Sequence, residues 1–148
     1  MDRIFLEEFR STVESSVQKL ALIPEKQSEI SRAKGKWSAK EIIGHLIDSA
    51  ANNHQRFVRA QFKDDLIFSG YDQDQWVNSQ HYNEVSWGGL IGLWRRYNLH
   101  LILVIGQIPE NALTKMRTEH NLHEIAWKTV DQKIPVNLEY LVRDYFDH

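Results

Sequence analysis

Apolar side chains recur at intervals of three and four residues in four separate stretches of this chain, a period that commits most of it to helices with one buried face. Residues 2 to 21 carry Phe5, Phe9, Val13, Val17 and Leu20 on this pattern, and Pro24 follows soon after. A second stretch, from 38 to about 60, opens with Ser38 and Glu41 in the S-x-x-E spacing of a capping box. Trp37 and Ile42 sit where a hydrophobic staple would set the chain's entry angle. Between 89 and 108 the residues Leu90, Leu93, Trp94, Tyr97, Leu101, Val104, Ile105 and Ile108 return at helical spacing before Pro109. Asn137 can cap a last helix in which Leu138, Leu141, Val142, Tyr145 and His148 share a face. Four long helices joined by two long connections predict an all-α four-helix bundle.

The connections are less decided. Lys63 to Trp87 has no sustained period and reads as a connecting loop, in which DQDQWVNSQHY can hold a short helix. Residues 110 to 136, with HEIAWKTV, leave open a strand pair or irregular chain, and so a short β-hairpin before the last helix. With 148 residues, 42% of them hydrophobic, the chain is expected to form a single domain over 1–148 that ends within the last helix.

Composition removes several function classes. The 18 Lys and Arg nearly balance the 20 Asp and Glu without a long run of one sign, so neither nucleic acid nor a membrane surface is an expected partner. With no cysteine there is no disulfide, thiolate nucleophile or sulfur-rich zinc site, and any metal must be held by His, Asp or Glu. No stretch approaches the length of a membrane span, and the acidic start MDRIFLEEF lacks the basic flank and apolar core of a signal segment, so a cytoplasmic location is expected.

The second helix departs from a plain amphipathic pattern. One stripe runs through Ile42, His45, Leu46, Ser49, Asn53, Arg56 and Phe57, with Asn52 on its edge, while Ile43, Ile47, Ala51 and Val58 define a second apolar surface. A helix with two such surfaces is covered on both sides, which turns the polar stripe toward protein or a cavity. Each polar group buried there without a partner would cost about 1 to 3 kcal/mol. His148 repeats the anomaly on the last helix, close around the axis to Leu141 and Tyr145. Two histidines from separate helices suit either core imidazoles satisfied by backbone or tyrosine oxygens, or ligands of a metal in a bundle interior. Two ligands fall short of the three protein ligands a catalytic zinc usually takes.

Asn53 and Arg56, further along the face of His45, can orient a substrate carboxylate or other anion, because guanidinium pairs with such groups in a bidentate fashion. His120 and His123 form an H-x-x-H spacing that off a helix reads as a solvated loop pair, with His123 and Glu124 the pair to test for acid–base work. His54 points away from the stripe and reads as surface.

KWSAKEIIGHLIDSA, GYDQDQWV and LEYLVRDYFDH together resemble the DinB-like superfamily of four-helix metal proteins, including its bacillithiol-transferase-like branch. The resemblance covers most of the chain. Its most specific parts are W-S-x-x-E-x-x-x-H-L-x-D and Y-D-x-D-x-W, the other helices matching in pattern. It implies a divalent metal, often nickel or zinc, held by one histidine of the second helix and an H-x-x-x-H pair of the last. Carried onto this chain, those positions give His45 and His148, and the second member of the pair is absent. Either a longer chain supplies it in the next turn, or the site is depleted. The resemblance further implies a lid built on Asp72, Asp74 and Trp76, against which stands the plainer reading of aspartates capping a short helix. The implied function is that of a metal-dependent hydrolase, or of a transferase moving a low-molecular-weight thiol to an electrophile. Its partners would be a small-molecule substrate and, as a homodimer, a second copy of the chain. The alternative is a non-catalytic, stress-associated ligand-binding or dimerising protein with a degenerate metal site.

Overall fold

Ser38 and Glu41 close the capping box their spacing predicts. The Ser38 N–H donates to Glu41 Oε1 at 3.0 Å, and the Glu41 N–H donates to Ser38 Oγ at 3.2 Å. In the computed structural model, which describes residues 1–148, this box starts the longest of eight α-helices. In chain order they are α1 (Arg3–Leu20), α2 (Glu25–Ser28), α3 (Ala39–Arg59), α4 (Gln73–Gln80), α5 (Trp87–Gly106), α6 (Glu110–Thr114), α7 (Leu122–Ile125) and α8 (Leu138–Asp147). Short 3-10 turns cover Ala60–Phe62 and Tyr82–Glu84. The four long stretches of period three to four are thus α1, α3, α5 and α8, and the short helix within DQDQWVNSQHY is α4. No helix is long and apolar enough to cross a membrane.

The residues group into two compact units. The first comprises Met1–Phe9, Asn52–Gly70 and Ile102–His148, and the second Arg10–Ala51 and Tyr71–Leu101. In the second unit, Ile43 and Ile47 of α3 are buried with Val77, Tyr82, Trp87, Leu90 and Ile91, and Val17, Leu20 and Trp37 pack against them. Ile42, the expected partner of Trp37 in a staple, is 44% exposed. The capping box alone therefore fixes this helix start, and the apolar surface that α3 buries begins at Ile43. Lys40 is 1% exposed, and its Nζ donates to Glu25 Oε1 at 2.7 Å, Glu29 Oε1 at 3.0 Å and the Asn83 carbonyl at 3.3 Å. Glu25 uses its other oxygen to accept the Trp87 N–H at 2.9 Å. This places a carboxylate at the N-terminus of α5, where unsatisfied N–H groups favour it.

The first unit is aromatic. Phe5 and Phe9 stand 5.2 and 5.0 Å from Phe146 by ring centroid, and Tyr145 lies 6.1 Å from Phe9 and 5.8 Å from Phe57. The hairpin left open for 110–136 does not form. In its place stand α6, α7 and two isolated bridges, Leu66 with His120 and Arg117 with Val136. Side chains take over the pairing that strands would have supplied. The Asn121 amide accepts the Phe68 N–H at 3.0 Å and donates to the Phe68 carbonyl at 2.7 Å. Buried Asp144 of α8 accepts the N–H groups of Trp127 and Lys128, each at 2.8 Å. The Arg117 guanidinium, 4% exposed, donates to the carbonyls of Ala60, Ala112 and Lys115. With these backbone groups satisfied, the segment can run irregularly beneath the surface without the penalty of orphaned donors and acceptors.

Candidate functional site

In the second unit α3 carries three buried polar side chains within two turns, His45 at 7%, Asp48 at 2% and Ser49 at 5% exposure. The His45 ring lies against Trp37, with centroids 5.1 Å apart. One position before it, Gly44 leaves room for the Tyr82 ring, into which a side chain at 44 would run. Asp48 Oδ1 accepts the Tyr82 hydroxyl at 2.6 Å and the Gln80 amide at 2.8 Å. Burial, and then the Asp48 carboxylate, push the Tyr82 phenol far above its ordinary value, so it stays a neutral donor. Asp48 was not among the sequence candidates, although it closes the W-S-x-x-E-x-x-x-H-L-x-D pattern three residues beyond His45.

In the first unit the last turns of α3 bring Asn53 and Arg56 together. They are 7% and 6% exposed, with Arg56 Nη1 at 3.5 Å from Asn53 Oδ1 and Nη2 donating to the Ser69 carbonyl at 3.2 Å. His148 is exposed, contrary to its expected place on a buried face, and its ring rests 5.7 Å from that of Trp127. It is the C-cap of α8, its N–H donating to the Asp144 carbonyl.

The remaining candidates separate by burial. His120, expected in a solvated pair, is 6% exposed, with Nε2 at 2.7 Å from the Ile134 carbonyl and Nδ1 accepting the Leu122 N–H at 3.2 Å. Those bonds define a neutral imidazole protonated on Nε2. His123 and Glu124 are exposed neighbours in α7, with Nε2 and Oε1 3.4 Å apart. Asp72 is the N-cap of α4, its Oδ1 accepting the Gln75 N–H at 3.0 Å, and Trp76 is 38% exposed with its ring 5.2 Å from Tyr71. His54 is half-buried rather than fully at the surface.

A divalent metal needs a convergent donor set, and the chain offers none that is complete: no three or more His, Asp or Glu side chains form a group that could hold one. The residues present do not fit a three-ligand metal centre.

No protein-family model and no curated protein matches the chain significantly. Solved structures do match. YfiT from Bacillus subtilis, a probable metal-dependent hydrolase with an unusual four-helix bundle topology, superposes with a TM-score of 0.71 at 15% identity, over 99% of this chain and 80% of that one. The mycothiol-dependent maleylpyruvate isomerase superposes with a TM-score of 0.61 at 15% identity, over 95% of this chain and 56% of that one. The chain thus spans little more than half of the isomerase's length. The chain thus has an all-α, four-helix-bundle fold shared with these solved structures.

Proposed function

We propose that the chain acts on a small-molecule substrate, by hydrolysis or by transfer of a low-molecular-weight thiol, with His45 at the centre of that chemistry. The observation that carries the reading is the buried imidazole of His45 beside Trp37, in a chain with the fold of YfiT and of a mycothiol-dependent isomerase. Polar groups are costly to hold away from water, and clusters of them are a common mark of a working site. A divalent metal, nickel or zinc, is the cofactor this reading takes, and a ligand role is proposed separately for His45 in the second unit and for His148 in the first. The chain's own donors do not complete a three-ligand set, so the metal carries no step of the chemistry proposed. Asn53, Arg56, Asp72 and Trp76 are proposed to contact substrate, and His123 with Glu124 to serve as acid–base groups. The protein is proposed to work as a cytoplasmic homodimer. The second reading, a non-catalytic ligand-binding protein with a degenerate metal site, is favoured by the missing donor group.

Titration of nickel and of zinc into the chain and into His45→Ala, followed by assay of thiol-dependent turnover of an electrophile, separates the two. About one equivalent of metal, lost in the variant while the helical circular dichroism is kept, supports His45 as a ligand, and thiol-dependent turnover lost with it supports the enzyme. Full occupancy in His45→Ala overturns the role of His45. Absence of both binding and turnover leaves the non-catalytic reading.

A further inference from the structure

We propose that the first unit binds a small oxyanion, a phosphate or carboxylate group, in the cleft at the C-terminal end of α3. The inference depends neither on a metal nor on His45. Asn52, Gln55, Arg56 and Arg59 are spaced so that α3 stacks them along one face, and Lys63 and Ser69 complete the lining of a cleft of about 180 Å³. Three cations and two side-chain amides line it, and no carboxylate does. This concentration of positive charge runs against the net charge of −2 for the whole chain.

The three cations are held differently. Arg56 is nearly buried, and its bond to the Ser69 carbonyl fixes the wall of the cleft. Lys63 donates to the Ile67 carbonyl at 2.6 Å, pairs with Asp65 at 2.9 Å and stands 4.6 Å over the Phe68 ring. Asp65 therefore offsets the charge of Lys63. Arg59 is exposed and its guanidinium makes no hydrogen bond or ion pair within the chain, so its planar fork is available to two oxygens of one anion.

Pockets that enclose a whole drug-sized ligand begin at about 300 Å³. The smaller cleft fits an anionic head group whose remaining atoms lie outside. Cations in the last turn of a helix also complement its dipole, which by itself accounts for Arg56 and Arg59. It does not account for Lys63 beyond the helix, for the amides of Asn52 and Gln55, or for the exclusion of every carboxylate from the lining.

The test is calorimetric titration of the full chain with inorganic phosphate and, separately, with succinate, repeated on Arg59→Gln and on Arg96→Gln. Arg96 is an exposed cation of α5 that does not line the cleft. One saturable site is expected, with the tighter anion naming the group recognised. Arg59→Gln should weaken it by about tenfold or more, Arg96→Gln should leave it unchanged, and added NaCl should weaken it in the wild type. Absence of saturable binding by either anion overturns the proposal, as does an equal loss in the two variants, which would report bulk charge alone.

Discussion

Gly44 is required by what lies above it. The Tyr82 ring occupies the volume a Cβ would take, and it cannot retreat freely because its hydroxyl is held by Asp48 at 2.6 Å and lies 2.8 Å from Gln80 Oε1. Gly44→Ala is therefore expected to destabilise the fold by about 1 to 3 kcal/mol, the usual cost of forcing an extra carbon into a packed core. Urea unfolding measures it, and Tyr82→Ala in the same chain should recover part of the loss, since the two residues share one contact. A neutral Gly44→Ala would mean that the ring has another place to go. Side-chain placement was legible in the sequence only where helical period spoke for it. The burial of His45, Asn53 and Arg56 follows from their stripe on α3. His148 keeps the same angular relation to Leu141 and Tyr145 yet is exposed, because period assigns a face but does not say which residues pack over each position of it. His120 sits off any helix, so its spacing to His123 carried no orientation. Its burial depends on the carbonyl of Ile134 and the N–H of Leu122, which the fold brings to its two ring nitrogens.

Among the elements, those whose ends are fixed by local chemistry were the ones foreseen. The Ser38–Glu41 box and the Asn137 cap, whose Oδ1 accepts the Tyr140 N–H at 2.9 Å, lie within a few residues of the helices they start. Residues 110–136 were not legible because their order depends on groups distant in sequence, such as the Asp144 carboxylate on the Trp127 and Lys128 N–H groups and the Asn121 amide on Phe68. Asp72 stands between the two cases, since the same residue reads as a cap or as part of a lid. Its bond to the Gln75 N–H makes it a cap of α4. Asp72→Ala should then cost about 1 kcal/mol, expressed locally as faster hydrogen exchange of the amides in Gln73–Gln80. Asp72→Asn, which keeps the capping oxygen, should restore most of that protection. A loss of substrate turnover in Asp72→Asn with α4 protection intact would instead favour direct contact with substrate.

For the molecule as a whole, the charge pairs decide how stability moves with pH. Asp2 is held below its ordinary value by the Phe5 N–H and then by Arg143, and Glu14 by Arg95. Glu25 is lowered by Lys40 and then by the Trp87 N–H, and Asp65 by Lys63 and then by the Ile67 N–H. A carboxyl group depressed in the folded state stabilises the fold above its unfolded value and loses that contribution as pH falls through the folded one. With ordinary values of 4.5 for Glu and 3.8 for Asp, the loss begins near pH 4.5 and deepens below it. Lys40 has the opposite sign. Burial pulls its ammonium down, but the hydrogen bonds to Glu25 and Glu29 outweigh that, and the net shift is upward from 10.5. Its contribution is full below pH 10.5 and is lost as pH rises through the higher folded value. The exposed carboxylates are screened and individually weak. Lys40 is 1% exposed and joined to two glutamates, so its cluster contributes on both sides, while Tyr82, raised by burial and by Asp48, adds its own loss on the alkaline side. The thermal midpoint of the wild type is therefore expected to form a plateau that falls on both the acid and the alkaline side. Lys40→Met, which fills the same space without charge, should make the alkaline fall shallower, leaving the part due to Tyr82, and should shallow the acid one, because Glu25 then keeps only the Trp87 N–H as its partner. A variant whose midpoint tracks the wild type at both extremes would show that the Lys40 cluster is not the source of the pH dependence.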